Sequence, residues 1–311
     1  MTDSLRSGRP FHRAPCIAAL VTAVGVFPLL FVGAGVTSKD AGMVYPDWPT
    51  SAGRIINPRH WWQTEATRWE HGHRLIGWVV GLSAVVLAAA AWPAGGAIRR
   101  LGIITLLAIG LQGVLGGLRV IWDSTPLALV HGVWGQVCFC LAGAAALRAS
   151  RWWNSVGVKL ELRSGRGLRR LCVFTAASIF VQLALGATLR HLSSGHALVA
   201  HVLWAIVVIA LVDWLAMWVA GHGFGLWFLK FTAKAMAVLA SAQLLVGGFA
   251  WLVTMGGPDW SSLLKWLVPT IHVGIGALVL LCSVLLTMAV FRRVGMVDEA
   301  YSPVKAIISA L

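Results

Sequence analysis

The segment Trp69-Glu70-His71-Gly72-His73-Arg74-Leu75-Ile76-Gly77-Trp78 stands where a polar stretch gives way to a long apolar run. Read as the start of a helix, it puts Glu70 and His73 three residues apart on roughly one face, with Arg74 one turn beyond Glu70. An acid, a histidine and an arginine at a membrane boundary are costly unless something uses them. The apolar run that follows is one of eight. Crossing roughly 30 Å of hydrocarbon takes about 20 apolar residues per helix, and such runs lie near residues 16–36, 69–93, 101–119, 126–148, 170–190, 197–220, 231–252 and 267–291. With 58% hydrophobic and 12% charged residues and 17 tryptophans in 311 positions, the chain reads as an all-α integral membrane protein of eight transmembrane helices.

The net charge of +14 would suit a nucleic-acid partner, but its placement argues for a membrane instead. Counted with the amino terminus inside, seventeen of the 25 Lys and Arg residues fall on one side: Arg6, Arg9, Arg13, Arg99, Arg100, seven between 148 and 170, Lys230, Lys234, Arg292, Arg293 and Lys305. The positive-inside rule then places both termini in the cytoplasm and reads the 148–170 loop as a topology signal that also meets anionic lipid. No nucleic-acid role is expected. All five cysteines lie within or at the edge of apolar runs, so no outer-loop disulfide is expected. No small-residue cleavage site follows the first run, which points to a prokaryotic plasma (inner) membrane with that helix retained.

The halves of the chain echo each other. The third and seventh runs share Gln-x-x-x-Gly-Gly (Gln112 to Gly117, Gln243 to Gly248), the first and fifth share Gly-Ala near the outer end, and each even-numbered run has a histidine near its outer start. This suggests two repeated four-helix bundles, residues 1–150 and 151–311, related by an axis along the membrane normal. The small residues serve close helix packing or admit a flat ligand. Between the first two runs, about thirty polar residues carry Pro46-Asp47-Trp48-Pro49 and Trp61-Trp62, which suggests a folded interfacial cap with Asp47 as a turn or capping residue. The fourth run is expected to start with Thr125 as cap and Pro126 at its first position, and the eighth to open at Pro269.

Ten histidines are present, and most have ordinary explanations: His12 and His222 lie on the inner side, and His60 and His71 belong to the solvated outer interface. A lone intramembrane histidine is also ordinarily just a satisfied polar residue. His73, His131, His201 and His272 form a set, because each falls in the first turn or two of an even-numbered helix and all four therefore share one depth. Two histidines per half at equal depth is what axial ligation of a planar iron macrocycle requires, one neutral imidazole on each face. That gives one haem between His73 and His131 and one between His201 and His272. Pairing across the halves stays open. Zinc or copper is less suited, since no Cys, Asp or Glu recurs with these histidines. Arg74 and Arg190, at the outer boundary, are candidate partners for haem propionates.

Glu70 precedes His73 by three residues, whereas Leu198 occupies that position before His201. One site thus carries an acid and the other does not, which favours a reactive first site and an electron-transfer or structural second one; the alternative is that Glu70 only pairs with Arg74.

With these residues in view the sequence resembles the haem A synthases, membrane enzymes that oxidise the C8 methyl of haem O to the formyl group of haem A. The resemblance covers most of the chain. It is carried by Glu70-x-x-His73-Arg74 followed by Leu75-Ile76-Gly77, by Gln112 through Gly117 leading to Thr125-Pro126 and His131, by Leu189-Arg190-His191 and His201, by His272 after a proline, and by Pro46-Asp47-Trp48-Pro49. It implies haem O as substrate at His73 and His131, haem b as cofactor at His201 and His272, and two successive hydroxylations of one methyl group to a gem-diol that loses water. Glu70 would act there as base or as stabiliser of a developing cation. The resemblance further implies contact with haem O synthase and with cytochrome oxidase assembly factors, and leaves homo-oligomerisation open. Many family members carry a cysteine pair in an outer loop and this chain has none, which places it with a cysteine-free type. A dihaem b-type, quinol-linked electron carrier is the main alternative; a transporter, with Asp213 as its one candidate midplane acid, is a weaker one.

Overall fold

The computed structural model describes residues 11–155, 160–162, 164–222, 226–254 and 260–296. Arg6, Arg9, Lys159, Arg163, Lys305, the side chain of His222 and both termini, which entered the topology argument, lie outside the described residues. Among the described residues eight helices are long and apolar enough to cross a membrane. They are α1 (Arg13–Ser38), α2 (Glu65–Ala91), α3 (Gly96–Ile121), α4 (Thr125–Ala149), α6 (Gly165–Leu192), α7 (Gly195–His222), α8 (Trp227–Thr254) and α9 (Ser262–Arg293), with a single turn α5 (Arg151–Asn154) between α4 and α6.

Capping chemistry starts several helices away from the edges of their apolar runs. α2 begins at Glu65, four residues before Trp69, because the Thr64 hydroxyl accepts from the Thr67 N–H at 3.2 Å and Glu65 lies in the first turn. The cap of α4 is Ser124, whose Oγ accepts from the Leu127 N–H at 3.3 Å; Thr125 is already helical. α9 does not open at Pro269. It starts at Ser262 and carries Pro269 inside. The proline removes one N–H from the ladder, and the next residue, Thr270, donates its hydroxyl to the Trp266 carbonyl at 2.6 Å.

Contacts between helices close into two rings, α1–α2–α3–α4 and α6–α7–α8–α9, which meet where α1 and α4 pack against α9 and α4 packs against α6. The largest buried apolar cluster fills the second ring and takes in Cys140 from α4, while one smaller cluster lies within the first and another joins the first ring to Ala277 of α9. The five cysteines are all free.

The end of the bundle rich in Lys and Arg holds structure that helix periodicity did not suggest. Leu160–Leu162 (β1) pairs in parallel with Val294–Met296 (β2). Arg169 donates to the Val294 carbonyl at 2.5 Å, Arg293 to the Trp152 carbonyl at 2.8 Å and Arg292 to the Trp153 carbonyl at 3.2 Å. These arginines tie the 148–170 connection to the end of α9, so they have structural partners besides any topological role.

Candidate functional site

Within each ring the histidines sit on diagonally opposed helices. His73 on α2 faces His131 on α4 with ring centroids 6.5 Å apart, and His201 on α7 faces His272 on α9 at 6.2 Å. The pairing therefore lies within each bundle, not across the two. A metal bound to two imidazole nitrogens at about 2.0 Å each, with the half-widths of the two rings added, requires roughly 6 Å between centroids. All four imidazoles keep some accessible surface although they point into bundle interiors.

Each imidazole is seated on a glycine of the preceding helix. A Cβ at Gly33, Gly116, Gly186 or Gly247 would come within 2.9, 2.9, 2.9 and 2.7 Å of Cε1 of His73, His131, His201 and His272 respectively. No real Cβ tolerates that approach, so these four positions need glycine for space, not for backbone freedom.

Two of the rings are further locked by a reciprocal bracket. His131 Nδ1–H donates to the Gln112 carbonyl at 3.1 Å while Gln112 Nε2 donates to the His131 carbonyl, also at 3.1 Å. The bracket recurs 70 residues on, from 112 to 182 and from 131 to 201: His201 Nδ1–H to the Gln182 carbonyl at 3.2 Å and Gln182 Nε2 to the His201 carbonyl at 3.0 Å. Trp134 to Ala108 and Trp204 to Ser178, indole N–H to carbonyl at 2.9 and 3.0 Å, complete the match. Fixing the proton on Nδ1 leaves the lone pair on Nε2, which in the structure accepts from the same glutamine's Nε2–H, at 3.3 Å on His131 and 3.4 Å on His201; an Nδ1–H to carbonyl bond is the usual outer arrangement behind a metal-bound histidine. Gln243 makes the same Nε2 contact, to His272 at 3.2 Å, without the bracket to the backbone. His272 Nδ1 faces the Gln243 carbonyl but lies outside hydrogen-bonding geometry, and His73 Nδ1 is buried without a partner.

Among the described residues no three His, Cys, Asp or Glu side chains converge on one point. A two-nitrogen donor set suits a metal whose other ligands arrive with it, as four do in a macrocycle. On this test the residues present fit a haem in each bundle.

The first pair lies at the end of the bundle covered by residues 39–64, and Glu70, His71 and Arg74 anchor that cover. Glu70, 3% exposed, bonds Arg74 Nη2 through Oε1 at 2.5 Å, while Oε2 accepts from the N–H groups of Val44 (2.7 Å) and Tyr45 (3.1 Å). Arg74 also donates to the carbonyls of Tyr45 (3.0 Å), Asp47 (2.6 Å) and Thr50. His71 is not solvated: it is fully buried, bonded to Ser51 Oγ and to the Ile56 carbonyl, both at 3.1 Å. Its i, i+3 neighbours are apolar or engaged with the cover, and long-range docking of the 51–56 turn removes it from water. Asp47 acts as the expected turn residue, accepting from Thr50, Ala52 and Gly53.

The structure thus brings His73 with His131, His201 with His272, and Glu70 with Arg74. It places Arg190 at the junction of the rings, donating to the Ala34 carbonyl and Ser38 Oγ of α1, both at 2.7 Å, within electrostatic reach of His272. Asp213 is exposed in the later part of α7, away from every histidine pair's depth. Sequence reasoning passed over Arg119, in the last turn of α3, which lies within electrostatic reach of both His73 and His131. Its spacing of three from Gly116 was the available signal. Gln182 was also passed over as the third member of a Gln-x-x-x-Gly set.

Fold and site together define a polytopic membrane protein with one facing-histidine centre in each of two helix bundles. No family model matches the chain. Curated relatives do, at modest identity over part of their length. Proteins named heme A synthase from Lysinibacillus sphaericus (29% identical, covering 57% of this chain and 58% of the relative), Alkalihalophilus pseudofirmus (26%, 58% and 61%) and Geobacillus kaustophilus (31%, 41% and 39%) are similar to it. The chain spans about three fifths of the length of the first two.

Proposed function

We propose that this protein is a haem A synthase, an oxidoreductase that converts the C8 methyl of haem O to a formyl group. The observation that carries the reading is the repeated centre: two facing imidazoles per bundle, at a separation suited to one metal between them, in a chain similar to proteins of that name. Residues 1–150 would form the substrate half, with His73 and His131 holding haem O. Residues 151–311 would form the cofactor half, with His201 and His272 holding haem b, the two related by an axis along the membrane normal. When bound, haem b supplies a one-electron couple. The chain's own part is to seat the ligands: the glycines set the approach of each imidazole, and the glutamine carbonyls orient His131 and His201.

Methyl to aldehyde removes four electrons and adds one oxygen, through two hydroxylations and loss of water from a gem-diol. Charge develops at the reacting carbon, and Glu70 is the acid we assign there, as base or cation stabiliser. Its three hydrogen bonds support a second role, holding the cover and Arg74 over the first site. We further propose a prokaryotic inner membrane with both termini cytoplasmic and the histidine centres toward the outer face, a reading supported by the concentration of described Lys and Arg at the opposite end. Haem O synthase and oxidase assembly factors are the partners this activity calls for.

Extraction and identification of the pigment from purified protein tests the reading. Haem b together with haem O or haem A is expected. Haem b alone in both centres favours a dihaem electron carrier, and no haem at all overturns the assignment. Glu70→Gln is expected to abolish conversion with both haems retained; undiminished conversion removes Glu70 from the chemistry.

A further inference from the structure

Two arginines lie beside the first histidine pair, and they are spent very differently. Arg74 has all four terminal N–H groups committed, Nη1 to the carbonyls of Asp47 and Thr50 and Nη2 to the Tyr45 carbonyl and Glu70. A guanidinium offers five donors, so Arg74 has almost nothing left for a ligand. Arg119 makes one hydrogen bond among the described residues, Nη2 to the Gly42 carbonyl at 3.1 Å. The charged and titratable groups around it are Glu70, Arg74, Asp123, His73, His131 and His191. Neither acid pairs with it: Glu70 is taken by Arg74 and by the cover's N–H groups, and the ion pairs among the described residues are Lys39–Glu65 and Arg74–Glu70.

Position makes the same case independently. Arg119 follows Gly116, the seat of His131, by three residues, and so stands one turn further along the same face of α3. Arg190 stands likewise one turn beyond Gly186, the seat of His201. A half-buried guanidinium with unspent donors, one turn above a ligating face, calls for an anion, and bidentate carboxylate is the group it fits best.

We propose that Arg119 binds a carboxylate of the tetrapyrrole held by His73 and His131, and that Arg74 serves the cover instead. The proposal rests on the haem reading above and assigns the substrate's propionate end to the C-terminal turn of α3.

The test is titration of the full-length protein in detergent with haem and with haem dimethyl ester, whose carboxylates are masked. A His272→Ala background isolates the first centre. The unmodified Arg119 protein is expected to bind haem about 10- to 100-fold more tightly than the ester, the range of one charge-assisted contact. Arg119→Gln is expected to weaken haem to the level of the ester while leaving ester binding unchanged, and Arg119→Lys to fall between. In a His131→Ala background, where only the second centre binds, Arg119→Gln is expected to change nothing. Equal weakening of haem and ester by Arg119→Gln overturns the proposal in favour of a purely structural role, and equal affinity of the unmodified protein for both overturns it without any variant at Arg119. Haem binding in that last case leaves the haem reading standing, whereas failure of haem to bind any form defeats that reading itself.

Discussion

The two histidine centres share a scaffold and differ in what lies above it. Both pair imidazoles across a four-helix ring at 6.5 and 6.2 Å, both seat them on glycine, and both use a Gln-x-x-x-Gly-Gly helix. The second glycine of that motif separates them. On Gly117 a Cβ would run into the indole of Trp48, part of the 39–64 cover, whereas its counterpart Gly248 has nothing within 4 Å. Glu70, Arg74 and His71 bind that cover, and the second centre has no equivalent segment among the described residues. Identical sequence motifs therefore carry different environments. What separates the two centres most is the cover and its anchors, since each has one facing pair of imidazoles.

The largest effect that tests this comparison is loss of a ligand. His131→Ala is expected to leave one haem equivalent per chain, retained by His201 and His272, and to abolish conversion; His272→Ala is expected to leave the other. Pyridine haemochrome content and the spectrum of the remaining centre measure it. If either substitution empties both centres, the bundles do not bind independently and the comparison fails.

Removing the anchor of the cover comes next. Glu70→Ala leaves Arg74 half-buried without its carboxylate and two N–H groups of the cover unpaired, a loss of about 3–5 kcal/mol for a broken buried pair. Proteolysis confined to residues 39–64 is expected to rise at least about 100-fold, with the second centre's spectrum unchanged. A cover that stays protected would mean that Arg74 and His71 suffice to hold it.

A single methyl group gives a smaller and more discriminating effect. Gly247→Ala forces a Cβ to 2.7 Å from His272 Cε1, while Gly248→Ala next to it meets nothing within 4 Å. Overpacking of this kind costs about 1–3 kcal/mol, so the first substitution is expected to weaken haem binding at the second centre about 10- to 100-fold and the second to leave it unchanged. Gly117→Ala, which meets Trp48, is expected to disturb the cover without touching haem affinity at the second centre.

The sequence made some of this legible and hid the rest for identifiable reasons. The eight apolar helices among the described residues followed from hydropathy, and a histidine in the early part of four of them from spacing, because both are properties of a segment by itself; the earlier starts of α2 and α9 put His73 and His272 in the third turn, not the first or second. The pairing of Glu70 with Arg74 was readable as an i, i+4 contact. Helix starts were missed where a cap lies in polar sequence, as at Thr64 and Ser261, and Pro269 was read as a start because a helix-interior proline looks the same as a first-turn one. His71 and Arg119 were misjudged or overlooked for another reason. Their roles depend on Ser51, Ile56 and Gly42, which reach them only once the 39–64 segment folds back over the bundle. Likewise β1 and β2 are separated by more than a hundred residues, and nothing local announces their pairing.

The smallest expected effect concerns the turn that gives the cover its shape. Burial alone raises the Asp47 pKa, but hydrogen bonds from the Gly53 N–H, the Thr50 hydroxyl and the Ala52 N–H outweigh it and hold the carboxyl at about 2. A carboxylate depressed in the folded state contributes stability that is fully present above its unfolded value, about 3.9, and is lost as pH falls through the folded one. The turn should therefore stay intact from neutral pH to about 4 and loosen only as pH approaches about 2. Amide shifts of Ala52 and Gly53 in protein labelled at alanine and glycine report the titration directly, since both donate to Asp47. A midpoint near 4 in those shifts would show that the turn does not favour the ionised carboxyl. Asp47→Asn should remove the acid transition while leaving both centres loaded, because Arg74 takes only the Asp47 carbonyl, not its side chain. Loss of haem from the first centre in that variant would mean that the shape of the turn, and not only its attachment through Glu70, reaches down to His73.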